Sequence, residues 1–256
     1  APYLGGMLIL GAAVLGASEL ADMSAADRMA YKVEQAQSVQ LPYLLLAAVL
    51  AILAVVVYLW KLPNFKEQAS DDSPTENVTA AQALRHPHVL FGVIGIFAYV
   101  GAEVSIGSFM INYLSLPEIG NMSESSAASY VAYYWGGAMI GRFIGSALMQ
   151  RFRPSLLLGL FAIVAALLVL PTMLTSGHIA MWSIVAIGLF NSIMFPTIFT
   201  LGIAKLGPLT SKASSLLIMA IVGGAILPVA QGAIADTVGI HHAFVLPLIC
   251  YLFIAF

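Results

Sequence analysis

Eight apolar runs, each close to the length a helix needs to cross a lipid bilayer, recur through this sequence at 1–17, 41–60, 89–114, 129–149, 154–174, 179–204, 213–235 and 243–256. About 20 apolar residues cover the hydrocarbon core as a helix. No water is present there to satisfy open backbone groups, so a spanning segment closes as a helix or joins a barrel. The runs are continuously apolar, without the alternation of barrel strands, which selects helices. Composition agrees: 61% of the 256 residues are hydrophobic and 9% charged, against roughly 25% charged in a soluble domain. The expected fold class is an all-α integral membrane protein with eight transmembrane helices. The first and last runs are cut short by the chain ends, and no signal-peptide pattern opens the chain. The sequence therefore reads as a fragment of a longer bundle.

Loop charge sorts the runs. Alternate loops carry Lys61, Lys66 and Arg85, then Arg151 and Arg153, then Lys205 and Lys212. The opposite loops carry Arg28 and Lys32, outnumbered by Glu19, Asp22, Asp27 and Glu34, and the stretches 115–128 and 175–178 have no Lys or Arg. The positive-inside rule puts the first set in the cytoplasm of a cell inner (plasma) membrane. The stretch 61–88 holds Pro63, Pro74, Pro87 and the acidic pair Asp71-Asp72, and reads as a cytoplasmic linker. Within it, Thr79 and Gln82 are placed to cap a brief helix that Pro87 ends. Ser24 and Asp27 make a similar start in the other long loop, where a short helix is expected at the outer surface. Three segments follow: 1–60 as the end of one helical domain, 61–88 as linker, and 89–256 as a six-helix domain.

Within the run 89–114, Glu103 is the only charge. An acid at a helix centre costs roughly 2.5–3.5 kcal/mol on insertion scales. At about 1.5 Å per residue from Val89, it sits roughly 21 Å from the cytoplasmic end, near the midplane, where transport sites tend to lie. Two readings stand: a structural acid bonded between helices, or a cavity acid that binds a polar solute, a proton or both. Helical periodicity puts Tyr99, Glu103 and Met110 on one face and Ser105, Ser108 and Asn112 on the opposite one.

Further along, Gly137, Gly141 and Gly145 recur every four residues and form a smooth strip for close helix contact, with Arg142 beside them about 12 Å from the inner end. Arg142 is read as structural, packing or snorkelling. Tyr130 and Tyr134 continue the strip outward, placed either to stack on a sugar or to girdle the interface. Asn191 and Phe195 share a face of the run 179–204, with Pro196 and Gly202 available to bend it. Gln231 shares a face with Ala220 and Gly224. A buried amide in lipid needs a partner, and a neighbouring helix or a solute hydroxyl serves equally. The runs 154–174 and 243–256 hold no ionisable group and read as peripheral helices.

Several chemistries are excluded. A phosphate-binding G-x-x-x-x-G-K-[ST] loop is absent, and neither His86 and His88 nor His241 and His242 have a third metal ligand. No His lies inside a run to serve as base for Ser105 or Ser108, so an enzyme is not expected. A net charge of -2 suits no nucleic acid. Cys250, the single cysteine, forms no intrachain disulfide and reads as a small buried or lipid-facing residue.

The stretches YVGAEVSIGSFMINYLSLPEIG (99–120) and YYWGGAMIGRFIGSALMQRF (133–152) resemble the major facilitator superfamily, and within it the fucose/glucose-galactose proton symporter branch. GLFNSIMFPTIFTLGIAKLG (188–207) and the segment 223–236 are similar to penultimate helices of that group. The resemblance implies a chain running from about helix five to most of helix twelve. It implies alternating-access uptake of a hexose between two bundles, driven by proton influx with no other cofactor, by a protein expected to act as a monomer. Glu103, Asn112, Tyr134, Asn191, Phe195 and Gln231 would supply the carboxy-terminal side of the sugar site, and Gly137, Gly141, Arg142 and Gly145 would serve structure and gating. The acids that couple protons in that branch lie on earlier helices.

Overall fold

A computed structural model describes residues 23–38, 40–59 and 79–256. It divides into two compact units, Ala1–Thr75 and Glu76–Phe256. In the first, α1 (Ala25–Ser38) and α2 (Gln40–Leu59) are described. Ser24 Oγ accepts from the Asp27 amide at 3.2 Å, which starts α1 as the sequence leads one to expect. Helix α2 is apolar all round and exposed along its length.

The second unit is all-helical among the described residues: α3 (Ala80–Leu84), α4 (Pro87–Ser115), α5 (Glu124–Met149), α6 (Pro154–Leu174), α7 (Gly177–Asn191), α8 (Met194–Gly202), α9 (Thr210–Met219), α10 (Gly223–Val238), α11 (Ile240–Ala243) and α12 (Val245–Ala255). Thr79 and Gln82 cap α3 reciprocally, with Gln82 Oε1 accepting from the Thr79 amide at 2.7 Å. Pro87 corrects one expectation. It opens α4, where its missing N–H is harmless and its fixed φ suits the first turn, and α3 stops before it. Helix α5 starts at Glu124, capped by Ser123, five residues before the apolar run, because apolarity marks bilayer depth and not helix length.

Among the described residues, four segments are long and apolar enough to cross a membrane: Pro87–Ser115, Pro154–Leu174, Gly177–Gly202 and Gly207–Val238. Tyr43–Val56 and Ile240–Ala255 are apolar but shorter. Helix α5 has 26 residues, but Arg142, three tyrosines and its serines dilute its apolarity. The run 1–17 lies outside the described residues, so the structure accounts for seven of the eight expected runs as helices, four of them of spanning character.

Helix α4 is the hub and packs against α5, α8, α10 and α12, while α7 is held between α5 and α6. Tyr99, Ile106, Met110 and Tyr113 of α4 are buried in one continuous core with Tyr134, Ile184 and Tyr251. Helices α6 and α12 each present an apolar outer face, with Leu160, Leu167, Ile249 and Leu252 exposed, as peripheral helices should. Cys250 is buried and free.

Candidate functional site

The site is built around a broken helix. The segment 177–202 is one span interrupted after Asn191, where Ser192 and Ile193 turn before α8 begins. Pro196 has no N–H to offer the Ser192 carbonyl four residues earlier, and its ring crowds that oxygen. A carbonyl freed at membrane depth must find another donor. Both carbonyls at the break do. Tyr99 Oη, from α4, donates to Asn191 O at 2.9 Å, and Arg142 Nε, from α5, donates to Ser192 O at 3.3 Å. Arg142 is thus a clamp on the break.

Asn191 is fully buried at the last turn of α7. Its Nδ2 donates to Tyr134 Oη at 2.7 Å, while Asn191 Oδ1 and Tyr251 Oη, both buried, stay unpartnered within hydrogen-bonding geometry. The Asn191 side chain also interacts with the Tyr251 hydroxyl, and a bound hydroxyl would complete the two unpartnered atoms. Glu103 lies one turn beyond Tyr99, just past the middle of the 29-residue α4. It is half-buried and interacts with the Tyr99 hydroxyl and the Arg142 guanidinium, while Tyr134 and Tyr251 feel its charge. Phe195 sets its ring 6.4 Å from Tyr99 and stacks on Phe199 at 6.2 Å. The result is a midplane cluster of a carboxylate, an amide and three phenolic hydroxyls from four helices, bordered by an aromatic ring.

Glu103, Tyr134, Asn191 and Phe195 therefore come together, with Arg142 beside them. Gly137, Gly141 and Gly145 run along α5 where it meets α7, and a Cβ on Gly141 would strike Leu189 O and Ser192. Asn112 stands apart, exposed on α4 two turns beyond Glu103. Gln231 is also separate. An ideal Cβ on Gly223 would strike the Phe97 carbonyl, and one on Gly101 would strike Leu227, a register that brings Gln231 opposite Ser105. Both are fully buried, and Ser105 Oγ and the two Gln231 amide atoms lack partners.

Two readings of the sequence change. Ser105 shares no environment with Ser108 and Asn112: it is fully buried, whereas both of those are exposed. Tyr134 has no accessible ring face, being fully buried, so it acts through its hydroxyl. Tyr133, one residue earlier, is 57% exposed, and Trp182 stacks on it at 6.4 Å. Tyr99 and Tyr251 are cluster members absent from the expected set. Tyr99 shares the Glu103 face and was findable by period; Tyr251 sits in a run with no charge to mark it.

The role of Arg142 has a direct check. Arg142→Gln should lower the thermal stability of the full-length protein by about 1–3 kcal/mol, the cost of a buried group left unpaired. Pro196→Ala restores an N–H for Ser192 O and should recover part of that loss in the double variant. Equal losses in both backgrounds would show that Arg142 acts elsewhere.

The sequence model of the Major Facilitator Superfamily matches residues 2–220. The chain belongs to the major facilitator superfamily. It is 52% identical over 222 residues to a glucose/galactose transporter of Brucella abortus, a match covering 87% of this chain and 53% of that protein. A putative glucose/galactose transporter of Helicobacter pylori is 42% identical over 260 residues, covering 100% of this chain and 60% of the relative. Among solved structures, the fucose:proton symporter of Escherichia coli is similar with a TM-score of 0.73 and 32% identity, covering 98% of this chain and 62% of that one. The chain thus spans a little over half the length of these relatives. Substrate sites of such transporters lie near the midplane and draw on discontinuous helices; the cluster at the Asn191 break has both attributes.

Proposed function

We propose that the full-length protein carries a hexose of the glucose/galactose class across a bacterial inner membrane by alternating access, as a proton symporter. The observation that carries this reading is the polar cluster at the broken helix, whose carboxylate Glu103 is only half-buried, in a chain whose relatives at 52% and 42% identity are named glucose/galactose transporters, the second as putative. Glu103 accepts from sugar hydroxyls, Asn191 Oδ1 accepts from another, and Phe195 covers an apolar face of the ring. Tyr99, Tyr134 and Arg142 hold these groups in place. Eight spans, a cytoplasmic linker at 61–88 joining 1–60 to 89–256, and a monomeric working unit complete the proposal. Rocking of two bundles then exposes the site to each side in turn.

Proteoliposomes of the full-length protein test it. An imposed inward proton gradient should drive hexose accumulation that a protonophore abolishes. Counterflow without gradient-driven accumulation would make the protein a facilitator, and absence of both would remove the transport reading.

A further inference from the structure

An indole borders the polar cluster. Trp135 follows Tyr134 in α5 and is 37% exposed. Its ring meets the Tyr134 ring edge-on at 5.4 Å, and Tyr134 is the phenol that accepts from Asn191. Trp135 also approaches α4 at Gly107, where an added Cβ would lie 3.9 Å from Trp135 Cζ2. Cζ2 is on the indole edge that carries Nε1, so the N–H edge is the one nearest Gly107. Gly107 stands one turn past Glu103 on the same face of α4, and its missing side chain leaves that edge uncovered. Among the described residues, Trp135 Nε1 has no hydrogen-bond acceptor. Depth makes this informative. Trp135 sits six residues inside the apolar run 129–149, about 9 Å along the axis. An interfacial ring keeps its polar tip at headgroup level. Tyr130 and Trp182 fit that description, 5.8 Å apart and within three residues of the start of their runs. At the depth of Trp135 hydrocarbon offers no acceptor, so an exposed indole N–H calls for a polar ligand.

We infer that Trp135 is a stacking platform of the hexose site. Its indole covers the C–H face of a pyranose ring, and Nε1–H donates to a sugar hydroxyl that itself donates to Glu103. This rests on the hexose reading above and adds to it a specificity-determining residue. A hydroxyl held this way accepts from one side and gives to the other, and the two bonds polarise each other. The rings also flank the carboxylate along α4. Phe195 lies against Tyr99, one turn before Glu103, and Trp135 faces Gly107, one turn after it; the two positions are about 12 Å apart along the axis. The platform selects a pyranose over an open-chain polyol, which has hydroxyls but no rigid apolar face.

Tryptophan emission of the full-length protein, titrated with glucose and with galactose, tests it. Bound hexose should change the emission of the unaltered protein; the change should vanish in Trp135→Phe and persist in Trp182→Phe. Trp135→Ala should weaken hexose binding about tenfold, the upper range for an aromatic stack. Trp135→Phe keeps a ring and loses the N–H, and should weaken it about threefold; if the alanine variant fails to fold, the phenylalanine variant decides. An emission that ignores bound hexose, or a response that persists in Trp135→Phe, would overturn the proposal. So would unchanged affinity in both variants. Each of these leaves the transport reading standing, with Trp135 a packing ring. No binding of either hexose to the unaltered protein would remove both.

Discussion

Glu103→Gln in the full-length protein is expected to weaken hexose binding by about 10–100-fold, the range for losing a hydrogen bond to a charged group. The substitution keeps the shape of the side chain and replaces one carboxylate oxygen with an amino group. Tyr99 interacts with that carboxylate and Tyr134 feels its charge, and Asn191 already gives its Nδ2 to Tyr134. The new amide donor can be taken by the Tyr99 hydroxyl, whose own proton goes to Asn191 O, so the expected loss is that of the carboxylate acceptor and its charge. Equilibrium binding to purified protein measures the loss, with thermal stability recorded in parallel to separate it from unfolding. Unchanged affinity and counterflow would reduce Glu103 to a helix-packing acid. Unchanged affinity with an altered response to proton gradients would instead make it a proton carrier.

The all-α membrane fold was legible because the bilayer imposes a length and an apolarity that any spanning helix must show. The cap at Thr79 and Gln82 was legible for a local reason: both halves of the box lie within four residues. Glu103 stood out as the one charge in its run. What the sequence left unread depends on which helix covers which face. Asn112 and Ser105 fall on one side by period, yet Ser105 is buried and Asn112 exposed. Gln231 was grouped with the sugar site because it is an amide at depth; the structure buries it with neither amide atom hydrogen-bonded, so no hydrogen bond joins it to the Asn191 cluster. Tyr251 gave no signal, since a phenol in an apolar run looks like an interfacial ring until its hydroxyl is found beside Asn191. The break itself was half-readable. Pro196 announced a weakened helix, but the donors that satisfy the freed carbonyls come from residues 92 and 50 positions away.

The same break makes Gly141 one of the residues at which the second unit should tolerate change least. Helices α5 and α7 meet through glycines on both sides: Gly188 lies against the Tyr134 carbonyl, and Gly141 against Leu189 O and Ser192. A Cβ on Gly141 collides with backbone at the break, where the Ser192 carbonyl already accepts from Arg142, so no side-chain rotation relieves the clash. The helices must separate, and separation stretches the 2.7 Å bond from Asn191 to Tyr134 and the 3.3 Å contact from Arg142 to Ser192. Gly141→Val is therefore expected to cost about 3 kcal/mol, the upper part of the range for overpacking, and to weaken hexose binding with it. Neighbouring glycines grade the effect. On Gly145 the added atom meets the Ile193 side chain, which can yield; on Gly137 it meets Leu189 N at 3.4 Å, an ordinary contact; on Gly136 it meets nothing within 4 Å. Alanine substitutions should lower the unfolding temperature in the order 141, 145, 137, 136, with the last near neutral. A flat series, or one in which Gly136 is as sensitive as Gly141, would detach the glycine strip from the break and leave small-residue packing without a role in shaping the site.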